Sequence, residues 1–204
     1  MAAITVSRQL GSLGFEVARA AADLLGYRLV WRDLINQAAR IAGSPEAALA
    51  AIDDLGLLGI CPSPEACQAY RQAVQQIMQE LANQGNVVII GRAGQMILGG
   101  WSEVLHVRVI APRPLRIERV AERQEISLEC ALAQIEASDR RRRNYLKRFY
   151  NVQWDDPNLY DLVINTAHLA PTAAAQLITQ TLTNPLFSSH EPASSRHETP
   201  LQSA

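Results

Sequence analysis

The feature that most constrains the fold of this chain is the alternation of short apolar runs with longer stretches of helical periodicity. Runs at Ile4 to Val6, Tyr27 to Trp31, Asn86 to Ile90, Val104 to Val109 and Leu162 to Ile164 have the length and composition of strands. Between them, Leu13, Val17, Ala21 and Leu24 recur on one helical face, and Gly26 offers a C-terminal stop. Arg32 to Ala42 reads as a shorter helix, and Ser44-Pro45 opens another with a cap residue and a proline. Tyr70 to Gln84 leads into the third strand and Pro114 to Gln124 follows the fourth. At least two of the strands are apolar almost throughout, which requires cover on both faces and hence parallel pairing. The expected fold is α/β, a three-layer α/β/α arrangement with a five-stranded parallel sheet. Ligands then belong at the carboxyl ends of the strands.

Two regions depart from the rhythm. Ser127 to Tyr150 is a long helical stretch, very basic in its second half, and the polar, aromatic segment "NVQWDDPNLYD" follows it. Such an excursion between two core strands has the look of a lid, spanning about residues 127–160. Residues 184–204, rich in Ser, Pro, Glu and His, cannot bury much apolar area and are expected to be disordered. That leaves one domain over residues 1–183, long enough to bury a sizeable core.

Composition narrows the class of function. The formal net charge of the 204 residues is -1, so global attraction to nucleic acid is not expected. The longest apolar runs fall far short of the ~20 residues of a membrane span, and no leader is expected because the chain is strand-like from its start. Cys61, Cys67 and Cys130 form an odd set without CxxC spacing, which points to a reducing, cytoplasmic setting. His106, His168, His190 and His197 lack ligand spacing, and no metal ligands are assigned.

The first strand runs into "SRQLGSLG", from Ser7 to Gly14, and then into a helix. Amides at a helix start are unpaired and carry partial positive charge, and small residues such as Gly11, Ser12 and Gly14 let phosphate oxygens approach them closely. Laid over the pattern GxxxxGK[ST], however, the stretch has Leu13 where lysine belongs and Gly14 where the metal-binding hydroxyl belongs. The plain alternative is an ordinary strand-to-helix glycine turn.

Taken in order, "ITVSRQLGSLG", "YRLVWRDLINQAA", "VVIIGRAGQMIL", "VRVIAPRPLRIERVAERQEIS" and "IEASDRRRRNYLKRFYNVQWDDPNLYDLVINT" resemble the cytidylate kinase-like family, a branch of the nucleoside monophosphate kinases and related P-loop proteins. The resemblance is spread over about residues 3–180 and is most specific from Asp139 to Thr166. Members of this branch show a serine-arginine pair, here Ser7-Arg8, and a lysine-free glycine loop, so the missing lysine reads as a family trait. Leu13, where a glycine is usual, is this chain's departure. The resemblance implies phosphoryl transfer from ATP with Mg2+ to a small nucleotide such as CMP or dCMP, and a fold with a mobile lid.

Phosphoryl transfer needs positive charge and alignment more than covalent chemistry, so the arginines are informative. Arg116, Arg119 and Arg123 share one helical side, and an acceptor-binding role competes with a solvated face paired to Glu118 and Glu122. Arg140 and Arg143 likewise share a side with Lys147, while Arg141, Arg142 and Arg148 are expected to point elsewhere. By resemblance, Asp139, Arg140, Arg143 and Tyr145 match the lid motif that closes over phosphates. A lid arginine, or Arg8 within the loop, could replace the lysine. Arg92, just past an apolar strand and a glycine, is expected to face the acceptor phosphate. Asp33 matches an acidic position of the family and competes with a plain helix-start aspartate. Asp161 is expected to orient lid arginines, Trp154 to pack rather than stack on a base, and Asn165 and Thr166 to lie near the donor adenine.

Three readings follow. The first is a nucleoside monophosphate kinase; the second is a nucleotide-sensing or interaction protein of the same fold without turnover, favoured by Leu13. The third and weakest treats "RRRRNYLKR" as a nucleic-acid contact. Oligomeric state, the acceptor's identity and the role of the segment 43–70 are not readable.

Overall fold

The computed structural model describes residues 2–31, 64–185 and 187. The helices expected from Arg32 and Ser44, the candidate Asp33, most of the segment 43–70 and the tail beyond Phe187 lie outside the described residues.

The elements are β1 (Ala3–Arg8), α1 (Gly14–Leu25), β2 (Arg28–Val30), α2 (Pro64–Gln84), β3 (Val87–Ile90), α3 (Gly94–Ile97), β4 (Val104–Ile110), α4 (Arg113–Gln124), α5 (Leu128–Tyr150), a 3-10 turn (Pro157–Leu159), β5 (Leu162–Asn165) and α6 (Pro171–Thr183). Among the described residues, five strands form one sheet in the order β2-β3-β1-β4-β5. Every pairing is parallel. The expected three-layer α/β/α fold is the one observed.

Period-two alternation divides the core. Ile4, Val6, Val88, Ile90, Leu105 and Val107 pack with Val17 and Ala21 of α1 and with Ile178 of α6 on one side. Ala3, Val87, Ile89 and Val104 pack with Ile77 and Met78 of α2 on the other. At about 1.5–3 kcal/mol for each large apolar side chain buried, these two layers supply most of the drive to fold. The second face changes character toward the strands' carboxyl ends. There the register pairs Thr5 with His106 and Ser7 with Arg108, and all four are buried. This polar half-face is what the segment after α5 covers.

Most expected boundaries agree within a residue or two. Gly26 caps α1 in the left-handed conformation, and Ser127 caps α5 by accepting the Cys130 amide at 3.2 Å. α2 begins at Pro64, six residues before Tyr70, with the proline in the first turn, where its missing N–H costs nothing. α3 and α6 were not expected. α6, "PTAAAQLITQTLT", is rich in β-branched residues that disfavour helix locally; burial of Ala174, Ala175, Ile178 and Leu182 on the sheet overrides that preference. Phe187, inside the stretch expected to be disordered, packs against the same layer.

Candidate functional site

β1 delivers the chain to the sheet's carboxyl edge, where Gln9 ties the loop to β4. Its amide donates to the Val109 carbonyl at 3.2 Å and its side chain accepts the Ala111 amide at 3.1 Å. Ser12 is fully buried, and its hydroxyl donates to the Gln9 carbonyl at 2.9 Å. Gly11 has φ +79°, and a Cβ there would lie 2.6 Å from the Arg116 carbonyl oxygen. Leu13, the residue before α1, has φ 58° and ψ 22°, the left-handed conformation that glycine adopts freely. The loop therefore keeps the glycine-like backbone despite the leucine, at a cost of about 1–2 kcal/mol. The first amides of α1 are left without helical acceptors and face the ligand edge of the sheet.

Arg8, the last residue of β1, is framed by two glycines. A Cβ on Gly14 would collide with the Arg8 Cβ, and one on Gly91 would sit 2.7 Å from its Nη1. The guanidinium carbon lies 5.8 Å from the Trp31 ring centre. Across from it, Gly91, Arg92 and Ala93 all have left-handed φ, 79°, 55° and 54°, before α3 begins. Non-glycine residues in this conformation cost about 1–3 kcal/mol each and concentrate at sites where function demands an unusual backbone. Here the turn brings Arg92 to the mouth of a cleft of about 390 Å³, counted with the solvent in its opening. Arg8, Arg92 and Arg142 line it together with Ser7, Tyr145 and Trp154.

Arg142 points away from the side shared by Arg140 and Arg143, as expected. Ala131, Ile135, Asp139 and Leu146 are the buried residues of α5, and Arg142 falls on their side, with its guanidinium held by the Ser138 hydroxyl one turn back. Arg140 and Arg143 do share a helical side, as expected, but it is the exposed one. Burial lowers the Arg142 pKa to about 10; Asp139 opposes the shift, and the neighbouring Arg116, Arg108 and Arg141 add to it. Tyr145 faces the cleft, its ring centre 5.0 Å from that of Phe149, and burial pushes its phenol well up.

Beneath this lies a hydrogen-bonded layer on the polar half-face. The Trp154 indole N–H donates to the Ser7 hydroxyl at 3.0 Å, and the Trp154 carbonyl accepts from Arg108 Nη1 and from the Tyr160 hydroxyl at 2.9 Å. Trp154 is 3% exposed, so it packs as expected. His106 lies beside Thr5, Nδ1 to Oγ1 2.7 Å, and burial lowers its pKa against the pull of the Asp161 carboxylate. Asp161, expected to orient lid arginines, accepts the His106 backbone amide at 2.7 Å.

The arginines of α4 serve the scaffold. Arg116 is 4% exposed and forms a two-pronged pair with Asp139, 2.8 and 3.1 Å, while also donating to the Leu10 carbonyl at 3.3 Å. Arg119 donates to the Thr166 hydroxyl at 3.1 Å and to its carbonyl at 2.9 Å. Thr166 in turn donates to the Ser12 carbonyl at 2.9 Å. Arg123 pairs with Glu16 at the surface. Thus Arg116 and Arg119, expected on the acceptor side, contact the glycine loop, and Arg123, expected there too, pairs with α1. Asn165 is exposed and its side chain accepts the Ala167 amide at 3.0 Å. Arg108, missed from the sequence, carried a signal: a polar pair two residues apart, His106 and Arg108, inside an otherwise apolar strand.

The Ser12 hydroxyl is turned to Gln9, and among the described residues no three His, Cys, Asp or Glu side chains gather.

A 2-3-1-4-5 parallel sheet with a glycine loop after its central strand and arginines over its carboxyl edge defines a P-loop kinase fold. Its likeness extends to a protein from Eubacterium ventriosum ATCC 27560, with a TM-score of 0.71 at 20% identity over 90% of this chain and 99% of that one. The shikimate kinase of Acinetobacter baumannii aligns with a TM-score of 0.52 at 16% identity, over 88% of this chain and 92% of that one. Within this class the chain belongs to the cytidylate kinase-like family, whose profile matches residues 3–168. The cytidylate kinase of Pyrococcus horikoshii is 30% identical over 86% of this chain and 85% of its own length. That of Methanocaldococcus jannaschii is 39% identical over 43% of this chain, a match spanning 51% of the relative.

Proposed function

We propose that this protein is a nucleotide kinase that transfers the γ-phosphoryl group of ATP to a nucleoside monophosphate, CMP or dCMP. The observation that carries the reading is the meeting of Arg8, Arg92 and Arg142, from three distant elements, in one cleft, with Arg8 packed against Gly14 of the glycine loop. In the reaction an oxygen of the acceptor's phosphate forms a bond to the γ-phosphorus while the bond to the β,γ-bridging oxygen breaks, and ADP leaves with that oxygen. The acceptor oxygen is already ionised near neutral pH, so no general base is needed. What the protein must supply is charge and alignment.

Arg8 stands at the loop itself and Arg142 opposite it, so the two divide the task of the absent lysine. Planar guanidinium groups suit that task because each can hold two phosphate oxygens and stay charged when desolvated. Arg92 takes the acceptor phosphate, with Asp33 as a further acceptor contact. The amides around Gly11 and Gly14 hold the donor phosphates, and Asn165 lies on the donor side. Thr166, Arg119 and Arg116 act by holding the loop, and Asp139 and Tyr145 by holding α5. Arg140 and Arg143 act only if ligand binding turns the outer side of α5 inward. Mg2+ is assigned to the nucleotide's own phosphates, where it usually keeps most of its ligands as water and phosphate oxygen.

The second reading, nucleotide binding without turnover, is favoured by the committed Ser12 hydroxyl and the uncharged Leu13. A coupled assay with ATP and Mg2+ against a panel of nucleoside monophosphates separates the two. The kinase reading expects phosphorylation of a cytidine monophosphate, lost in Arg8→Ala and Arg142→Ala. ATP binding with no acceptor phosphorylated supports the second. Full activity in both variants overturns the roles given to the arginines.

A further inference from the structure

Two arginines, one buried and one half-buried, meet one indole. Arg108 is 4% exposed in the middle of β4, and its guanidinium carbon lies 4.3 Å from the Trp154 ring centre. Its contacts are all to neutral groups: the Trp154 carbonyl, the Tyr160 hydroxyl at 3.1 Å, and the two rings. Arg142 lies 5.7 Å from the same ring centre, on the cleft side. The acid closest in sequence, Asp139, is engaged by Arg116 through both of its oxygens. A cation with no carboxylate bonded to it is costly to desolvate, and an anion in the cleft would offset that cost for Arg142.

Proton counting shows how Trp154 is set. The Tyr160 hydroxyl donates most closely to the Trp154 carbonyl, at 2.9 Å, and its oxygen accepts from Arg108 at 3.1 Å. The indole has one N–H, and it is given to Ser7 on β1, at the base of the cleft. The ring is therefore fixed at both its backbone and its edge before any ligand arrives. Arg142, on a helix that could carry it in many rotamers, has that fixed face to lie against.

We propose that Trp154, gripped by Arg108 and Ser7, is a positioning residue that holds Arg142 ready for an anionic phosphate chain in the cleft. The inference rests on the cleft assignment made above but not on turnover. Trp154 does its work through Arg142, so its loss weakens anion binding only as far as Arg142 contributes to it. Cation–π contact favours the guanidinium over the ring, and the held rotamer spares the ligand the cost of ordering a long side chain.

A double-mutant cycle with inorganic tripolyphosphate as the probe, read by calorimetry on the full chain, tests this. Trp154→Phe and Arg142→Met are each expected to weaken binding by about tenfold, the scale of one charge-assisted contact. The double variant is expected to lose no more than Arg142→Met alone, because the two act as one unit. Ser7→Ala, which removes the indole's acceptor and keeps the ring, is expected to show the same coupling to Arg142→Met and serves if Trp154→Phe does not fold. Losses that simply add, or parent-like binding in Trp154→Phe or Ser7→Ala, overturn the proposal. If no nucleotide is phosphorylated but the cycle is non-additive, the kinase reading fails and this one stands.

Discussion

The arginines of α4 and those of the cleft have the same chemistry and similar sequence settings, yet the fold uses them oppositely. Arg113, Arg116 and Arg123 have acids of their own, Glu136, Asp139 and Glu16. Arg119 is spent on carbonyl and hydroxyl oxygens of the glycine loop and Thr166. Arg8 and Arg142 are held against aromatic rings, beside a cleft with room for an anion. The difference teaches that an arginine's role is set by what the fold places against it, not by its spacing.

The largest effect should come from breaking the α4 side of the contrast. Asp139→Ala is expected to lower stability by about 3–5 kcal/mol, because it strands Arg116 as an unanswered buried charge. Equilibrium urea unfolding measures it. The double variant Arg116→Met with Asp139→Leu should recover most of that loss. If Asp139→Ala unfolds like the parent, the pair is not the strut between α4 and α5.

Arg142→Met should show the reverse signature, stability unchanged or raised by about 1 kcal/mol while transition-state stabilisation falls by about 3 kcal/mol in kcat/KM. Urea unfolding beside steady-state kinetics reads both. A large loss of stability would move Arg142 to the scaffold class.

The pH dependence sharpens the same point. The folded Arg142 pKa is lowered to about 10, well below its ordinary value in the unfolded chain. Above about 10 the folded protein has released a proton that the unfolded chain still holds, so this group makes stability rise with pH across that window. Tripolyphosphate affinity should fall there as the charge is lost. The difference between the parent and Arg142→Met isolates both trends; equal slopes in the two proteins would refute them.

The smallest effect belongs to Arg113→Ala. Its pair with Glu136 joins side chains 55% and 50% exposed, so the loss should stay within about 1 kcal/mol and shrink further in salt.

The strands, their parallel pairing and the phosphate-ready loop were readable because they follow from short-range pattern: runs of Val and Ile, a glycine stop, a cap serine. The cleft was readable only in part. Arg92 announced itself by following a glycine at a strand end, and Arg8 by its place in the loop between the first strand and Gly11. Arg142 did not, because a spacing of three or four residues identifies a side of a helix without saying which side faces in. The buried stripe of Ala131, Ile135 and Leu146 held that information, and the run of four arginines hid it. α6 was missed because its propensities are mixed, Ala and Leu beside Thr and Ile, and its packing on the sheet settles the helix.

By itself the sequence determined the layers, their order along the chain and the supply of cations near the carboxyl edge, since burial and backbone geometry act over a few residues. Tertiary structure alone decided what each cation meets. Coulomb energy depends on separation in space, and Arg116 and Asp139, 23 residues apart, meet at 2.8 Å only once α4 and α5 have packed.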